Sequence, residues 1–158
     1  MAMLRVDIRQ IGPAGVQTRG ALAPDDPAFE GLALPFVGPV EVDGVLRESE
    51  GGNFIWRAQV RATVAGECRR CLTPVHQEVA DQVDLVFSSD PDLLDDPSVY
   101  ALPPQAVRID LAQAVREEVT LRASAFPLCR EGCQGLCPEC GADLNAGPCR
   151  CAAPGTTN

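Results

Sequence analysis

Eight cysteines in a chain of 158 residues fall into four close pairs. Cys68 and Cys71 are spaced CxxC. Cys129 and Cys133 are spaced CxxxC. Cys137 and Cys140 are spaced CxxC within Cys137-Pro138-Glu139-Cys140-Gly141, and Cys149 and Cys151 are spaced CxC. Such pairs turn two sulfurs toward one side of a tight bend, as tetrahedral zinc requires, and four protein ligands close a structural site. Gly141 suits the sharp turn of such a knuckle. Eight ligands make two full sites.

Two pairings compete. The contiguous set Cys137, Cys140, Cys149 and Cys151 closes the shortest loops and is favoured on loop-closure entropy. It leaves Cys68, Cys71, Cys129 and Cys133 for a second site. The rival unites both CxxC pairs and leaves Cys129, Cys133, Cys149 and Cys151. Either way, structural metal adds on the order of 10 kcal/mol to folding, and four ligands leave no open position for catalysis. Two blander readings stand beside this one. Some cysteines can be small buried hydrophobes, or a CxxC pair can be a redox group, with Arg69 and Arg70 lowering its pKa. The βαβ setting of a thioredoxin-like motif is missing.

The elements that must position these pairs show in the hydrophobic periodicity. Leu4, Val6, Ile8 and Ile11 suggest a half-buried strand, and Gly12 to Glu30 reads as a loop. Phe36 to Leu46 alternates, and Gly51-Gly52-Asn53 signals a turn. The clearest strand follows. Phe54, Trp56, Ala58, Val60, Ala62 and Val64 share one face, with Arg57, Gln59, Arg61 and Thr63 on the other. After Cys71, Val75, Val79, Val83, Leu85 and Phe87 mark a second long strand, so an antiparallel hairpin should carry Cys68 and Cys71 at its tip. Ser88 to Tyr100 has four aspartates and no cation and reads as a solvated loop. Asp110 with Gln113 resembles a helix cap. Leu111, Val115 and Val119 then follow at helical spacing, ending near 122–125 before Pro127.

Charge narrows the function classes. Thirteen cations, all arginine, oppose 22 carboxylates, for a formal net charge of −9. That excludes a broad, counterion-driven grip on nucleic acid. It leaves room for a local contact by arginine forks, for which Arg57, Arg61, Arg69, Arg70, Arg130 and Arg150 are the candidates. The competing reading is that the arginines beside cysteines only offset thiolate charge. Trp56 and Phe54 lie on the apolar strand face, and the single histidine, His76, reads as an exposed strand residue. No nucleophile–base pair stands out among the serines, and Asp92, Asp95 and Asp96 sit on a loop too loose for magnesium. The N-terminus lacks the pattern of a signal peptide, and no apolar run is long enough to span a membrane. These features, with thiols kept reduced, give an expected cytoplasmic location.

The pieces FVGPVEVDGVLRE, CRRCLTPV, IDLAQAVREEVTL and CREGCQGLCPECGADLN with its terminal CRC resemble the YceD family. These are bacterial proteins associated with accumulation of large-subunit ribosomal RNA, and the likeness runs from about Phe36 to Cys151. The resemblance implies a cytoplasmic factor for synthesis, processing or stability of 23S ribosomal RNA, and it does not imply an enzyme. The partner is then ribosomal RNA or a pre-ribosomal particle, reached directly or through a ribosomal protein or nuclease. Neither a membrane nor a small-molecule substrate is expected. The alternatives are a protein adaptor without RNA contact and a redox-responsive or zinc-storing thiol protein.

The expected architecture is α+β. An antiparallel β-rich domain over 1–128, with one packed helix near 110–123, precedes a zinc-knuckle tail over 129–151 docked on it and a disordered end over 152–158.

Overall fold

The computed structural model describes residues 4–151; the segment expected to be disordered, 152–158, lies outside the described residues. Two compact units are present. One comprises 4–64 with 78–123, and the other 65–77 with 124–151. The expected boundary at 128/129 would leave the hairpin tip with the β-rich part. The tip instead groups with the cysteine-rich segment, because Cys68 and Cys71 lie together with Cys129 and Cys133.

The first unit is built on a five-stranded sheet in the order β2-β3-β4-β5-β6. Its strands are β2 (Val16–Leu22), β3 (Val40–Glu48), β4 (Phe54–Glu67), β5 (Pro74–Ser88) and β6 (Val99–Ala101). The expected alternation is met on β4, where Phe54, Trp56, Ala58, Val60, Ala62 and Val64 are all buried, and on β5, where Val79, Val83, Leu85 and Phe87 are. Only 68–73 separates these neighbouring strands, too few residues for a parallel crossover. Gly44 on β3 faces Ala58 on β4, and a side chain there would come within 2.4 Å of Ala58. Close approach of the two backbones thus requires a glycine.

Three expectations are corrected. Gly12 to Glu30 is not all loop, because β2 pairs antiparallel with β3 from Val16↔Leu46 to Leu22↔Val40. Its hydrophobic signal is weak because the fully buried inward residue is Thr18, whose hydroxyl accepts the Trp56 Nε1 hydrogen bond at 2.9 Å. The sheet is not purely antiparallel either. The acidic loop returns so that β6 runs parallel to β5, Phe87 opposite Tyr100. Finally, the helix cap sits one residue later than expected. The helix α1 (Ala112–Arg122) has Leu111 at its cap position, while Asp110 Oδ1 still accepts the Ala112 N–H at 3.0 Å.

Strands β1 (Arg5–Asp7) and β7 (Arg108–Asp110) form a separate antiparallel pair leading into α1. Leu111, Val115 and Val119 are fully buried in the main core, each worth about 1.5–3 kcal/mol on burial. Glu118 is also buried, and it bonds Arg122, which also meets Asp81 on β5. In the second unit the apolar cluster is small: Cys68, Cys71 and Cys133 with Val75, Leu128 and Leu136 packed against them.

Candidate functional site

The second unit brings all eight cysteines into two groups of four. Cys68, Cys71, Cys129 and Cys133 form one, and Cys137, Cys140, Cys149 and Cys151 the other, with all sulfurs of a group within 4.8 Å of one another. The favoured pairing, not the ribbon-like rival, is the one found. In the first group Cys68 Sγ lies 3.7 Å from Cys133 Sγ, and Cys71 Sγ 3.6 Å from Cys129 Sγ. A disulfide needs about 2.0 Å. The edge of a sulfur tetrahedron around a metal at about 2.3 Å is about 3.8 Å. The observed spacings match the tetrahedron, so each group can hold one metal ion. Cys68, Cys71, Cys133 and Cys137 are buried, while Cys129, Cys140 and Cys151 reach the surface.

The two CxxC pairs fold into the same turn. The N–H of Leu72 bonds the carbonyl of Cys68 at 2.9 Å, and the N–H of Gly141 bonds that of Cys137 at 2.8 Å. Each turn aims backbone donors at its first sulfur. Burial pushes the Cys68 thiol up, but N–H groups of Cys129, Cys71 and Arg70 outweigh it and hold the thiol down at about 6. The N–H groups of Cys140 and Glu139 hold Cys137 at about 7. Other thiols in the two groups shift the other way. Cys129 is driven up to about 12, first by desolvation of its sulfur among the other three and then by hydrogen bonds with them; the residue as a whole is exposed, but its sulfur lies in the cluster. Cys151 is driven up to about 12 by its hydrogen bond with Cys140. A divalent cation is the charge that lets all four sulfurs of a group ionise together.

Around the first group, Cys71 Sγ meets Thr73 Oγ1 at 3.2 Å, and Asn145 Nδ2 donates to Cys133 Sγ at 3.3 Å. The Asn145 hydrogen bond is the leading influence lowering the Cys133 thiol. Asn145 stands inside the CPECGADLN motif, but its spacing from the cysteines gives it no ligand role. Its contact with a cysteine of the other group depends on the fold.

The candidate arginines divide between the two units. Arg57 and Arg61 lie on the outward face of β4 in the first unit. Arg57 pairs with Asp84 at 2.7 Å, and Arg61 bonds Gln59 at 3.1 Å. The other four lie in the second unit. The Arg69 guanidinium sits 5.3 Å from the ring centre of Phe126, and its backbone N–H bonds Pro127. Arg70 donates to the Cys133 carbonyl at 3.0 Å, Arg130 donates to Asn145 Oδ1 at 2.8 Å, and Arg150 is exposed. Phe126 is 66% exposed and Leu72 57%. Sequence periodicity singled out neither, since both lie outside alternating or helical runs. His76 is exposed on β5.

The charge division between the units is sharp. Arg69, Arg70, Arg130 and Arg150 are matched in the second unit by Glu67, Glu131, Glu139 and Asp143, so the whole formal −9 belongs to the first unit.

A family model described as "Large ribosomal RNA subunit accumulation protein YceD" matches residues 56–157. The chain is 33% identical over 103 residues to an uncharacterized protein of Mycobacterium tuberculosis, covering 64% of this chain and 50% of the relative. It is 31% identical over 125 residues to an uncharacterized protein of Mycobacterium leprae, covering 76% and 56%. Over 49 residues it is 37% identical to the chloroplastic "Large ribosomal RNA subunit accumulation protein YCED homolog 1" of Arabidopsis thaliana, covering 31% and 15%. The chain spans about half the length of the mycobacterial relatives. No solved structure matches it. Among the described residues, no helix is long and apolar enough to cross a membrane.

Proposed function

This chain belongs to the YceD family, and from that premise we propose that it is a non-enzymatic ribosome-biogenesis factor of the cytoplasm. It promotes synthesis, processing or stability of 23S ribosomal RNA, and its two four-cysteine groups carry structural zinc. The family match over residues 56–157 is the observation that carries this reading. Zinc is favoured because an all-sulfur tetrahedral donor set suits it, and a structural role because four thiolates leave no position for substrate or water.

Contact with RNA falls to the turn at 68–72. Arg69 and Arg70 sit there in a unit whose four arginines balance its four carboxylates, leaving only the metal–thiolate charge, whereas Arg57 and Arg61 belong to the unit that carries the carboxylate surplus and are held by Asp84 and Gln59. The open face of Phe126, backed by the Arg69 guanidinium, offers one stacking position for an unpaired base. Filter binding of the zinc-loaded chain to large-subunit ribosomal RNA fragments tests this. The parent binds with a shallow salt dependence, and Arg69→Glu/Arg70→Glu loses most of the affinity. Equal affinity of parent and variant, or none in the parent, contradicts direct contact.

A second reading, an adaptor for a ribosomal protein or processing nuclease, draws on Leu72, an apolar side chain left 57% exposed in the same turn. RNase-resistant co-purification with one protein, lost on Leu72→Ser, supports the adaptor. RNase-sensitive association with pre-ribosomal particles supports RNA contact.

A further inference from the structure

The loop between Cys140 and Cys149, which the second cysteine group closes, carries the residue that braces the first group. Asn145 lies in the short helical turn Leu144–Ala146 of this loop. Its Nδ2 donates to Cys133 Sγ at 3.3 Å and to Asp143 Oδ1 at 2.8 Å. Its Oδ1 accepts from Arg130 Nη2 and from the Gln134 N–H, both at 2.8 Å, so the segment bearing Cys129 and Cys133 is clasped at three points by one side chain. The loop is itself fixed to the chain around Cys137. Leu144 N–H bonds Gly135 O at 2.9 Å, Cys137 N–H bonds Ala142 O at 2.8 Å, and Leu136 bridges to Asp143.

We propose that Asn145 is a positioning residue for the first metal centre and couples its loading to that of the second. A metal on Cys137, Cys140, Cys149 and Cys151 closes the loop and fixes Asn145. The fixed amide then holds Cys133 Sγ oriented, with part of its thiolate charge satisfied, before the first metal arrives. Outer-shell donors of this kind change metal affinity by about 10–100-fold. Coupling between binding sites is reciprocal, so occupancy of the first centre tightens the second by the same factor. The inference rests on reading both groups as metal centres, and it concerns neither RNA nor a protein partner.

The test loads the full chain with cadmium under reducing conditions. Chelator competition gives each centre's affinity, and cadmium NMR gives one resonance per centre. Asn145→Asp keeps the size and an acceptor for Arg130 and Gln134 but removes the donor to sulfur. Asn145→Ala removes the whole clasp, and Cys140→Ser/Cys149→Ser disables the second centre. The parent binds two cadmium ions. Asn145→Asp weakens the first centre about tenfold and moves its resonance, which a purely structural role would leave in place. Disabling the second centre weakens the first by a similar factor, and adding Asn145→Ala to that variant costs little more. An unmoved resonance with unchanged affinity in Asn145→Asp overturns the proposal, as do fully additive losses. If the parent binds two ions while these effects are absent, the coupling fails and the metal centres stand. If it binds none, both fail.

Discussion

Leu72 and Gly141 occupy the same position in two copies of one turn. Each follows the second cysteine of a CxxC pair, and each donates its N–H to the carbonyl of the first, at 2.9 and 2.8 Å. Their φ angles are 64° and 72°. Glycine enters this left-handed region freely, whereas a leucine there is held at a cost of about 1–2 kcal/mol. Leu72 is the only non-glycine residue with positive φ among the described residues, and it is more than half exposed.

Replacing Leu72 by glycine therefore stabilises the folded chain, by about 0.5–1 kcal/mol after the added flexibility of the unfolded state is subtracted. Denaturant midpoints of the zinc-loaded protein measure it. A lower midpoint would mean that the Leu72 side chain contributes packing that outweighs its strain.

The only tryptophan gives a second prediction. Trp56 and Thr18 are fully buried and joined by the 2.9 Å hydrogen bond between β4 and β2. Thr18→Val keeps the shape and removes the acceptor, leaving the indole N–H unsatisfied at a cost of about 1–3 kcal/mol. The cost reads out as a lower denaturant midpoint. Trp56 fluorescence, which has no other source in this chain, shifts to shorter wavelength as the indole loses its polar partner. An unchanged spectrum and midpoint would contradict the hydrogen bond.

Tyr100 is the only tyrosine, and it gives a pH prediction with its own ultraviolet signal. Burial, and then a hydrogen bond to Glu117 with the charge of Glu118 nearby, push its phenol above the ordinary value of 10.0. The folded state thus holds this proton more tightly than the unfolded state. The associated stability is present below pH about 10 and is lost as pH rises above it, because unfolding then releases the proton. Phenolate absorbance should stay low at pH 10.5 in the folded chain and appear on unfolding. Glu117→Gln should bring the ionisation down. Ionisation at the ordinary value in the folded parent would contradict the packing of β6.

Much of this architecture was legible where a single physical period dominates. The strict alternation from Phe54 to Val64, and the odd-numbered apolar positions from Val79 to Phe87 interrupted only at Asp81, marked the two long strands, and the spacing of Leu111, Val115 and Val119 marked the helix face. Strand β2 was not legible, because Thr18 and Gly20 replace the apolar residues on its inner face and the partner that makes Thr18 a core residue lies 38 positions away. The parallel return of β6 depends on where an acidic loop finds an edge, which no local pattern encodes. The close spacing of the cysteine pairs was legible, and loop closure favoured the grouping found. The left-handed Leu72, the stack of Arg69 on Phe126 and the reach of Asn145 to Cys133 are contacts made by folding and leave no local signature.

The central claim is that the eight cysteines form two separate tetrahedral centres. X-ray absorption at the zinc edge of the purified, fully reduced chain, combined with metal content by mass, tests it most directly. Two zinc ions per chain, each with four sulfur neighbours at about 2.3 Å and no nitrogen or oxygen in the first shell, is the predicted result. Fewer than one zinc per chain, sulfurs paired at the disulfide distance, or a mixed shell with an oxygen ligand would contradict it.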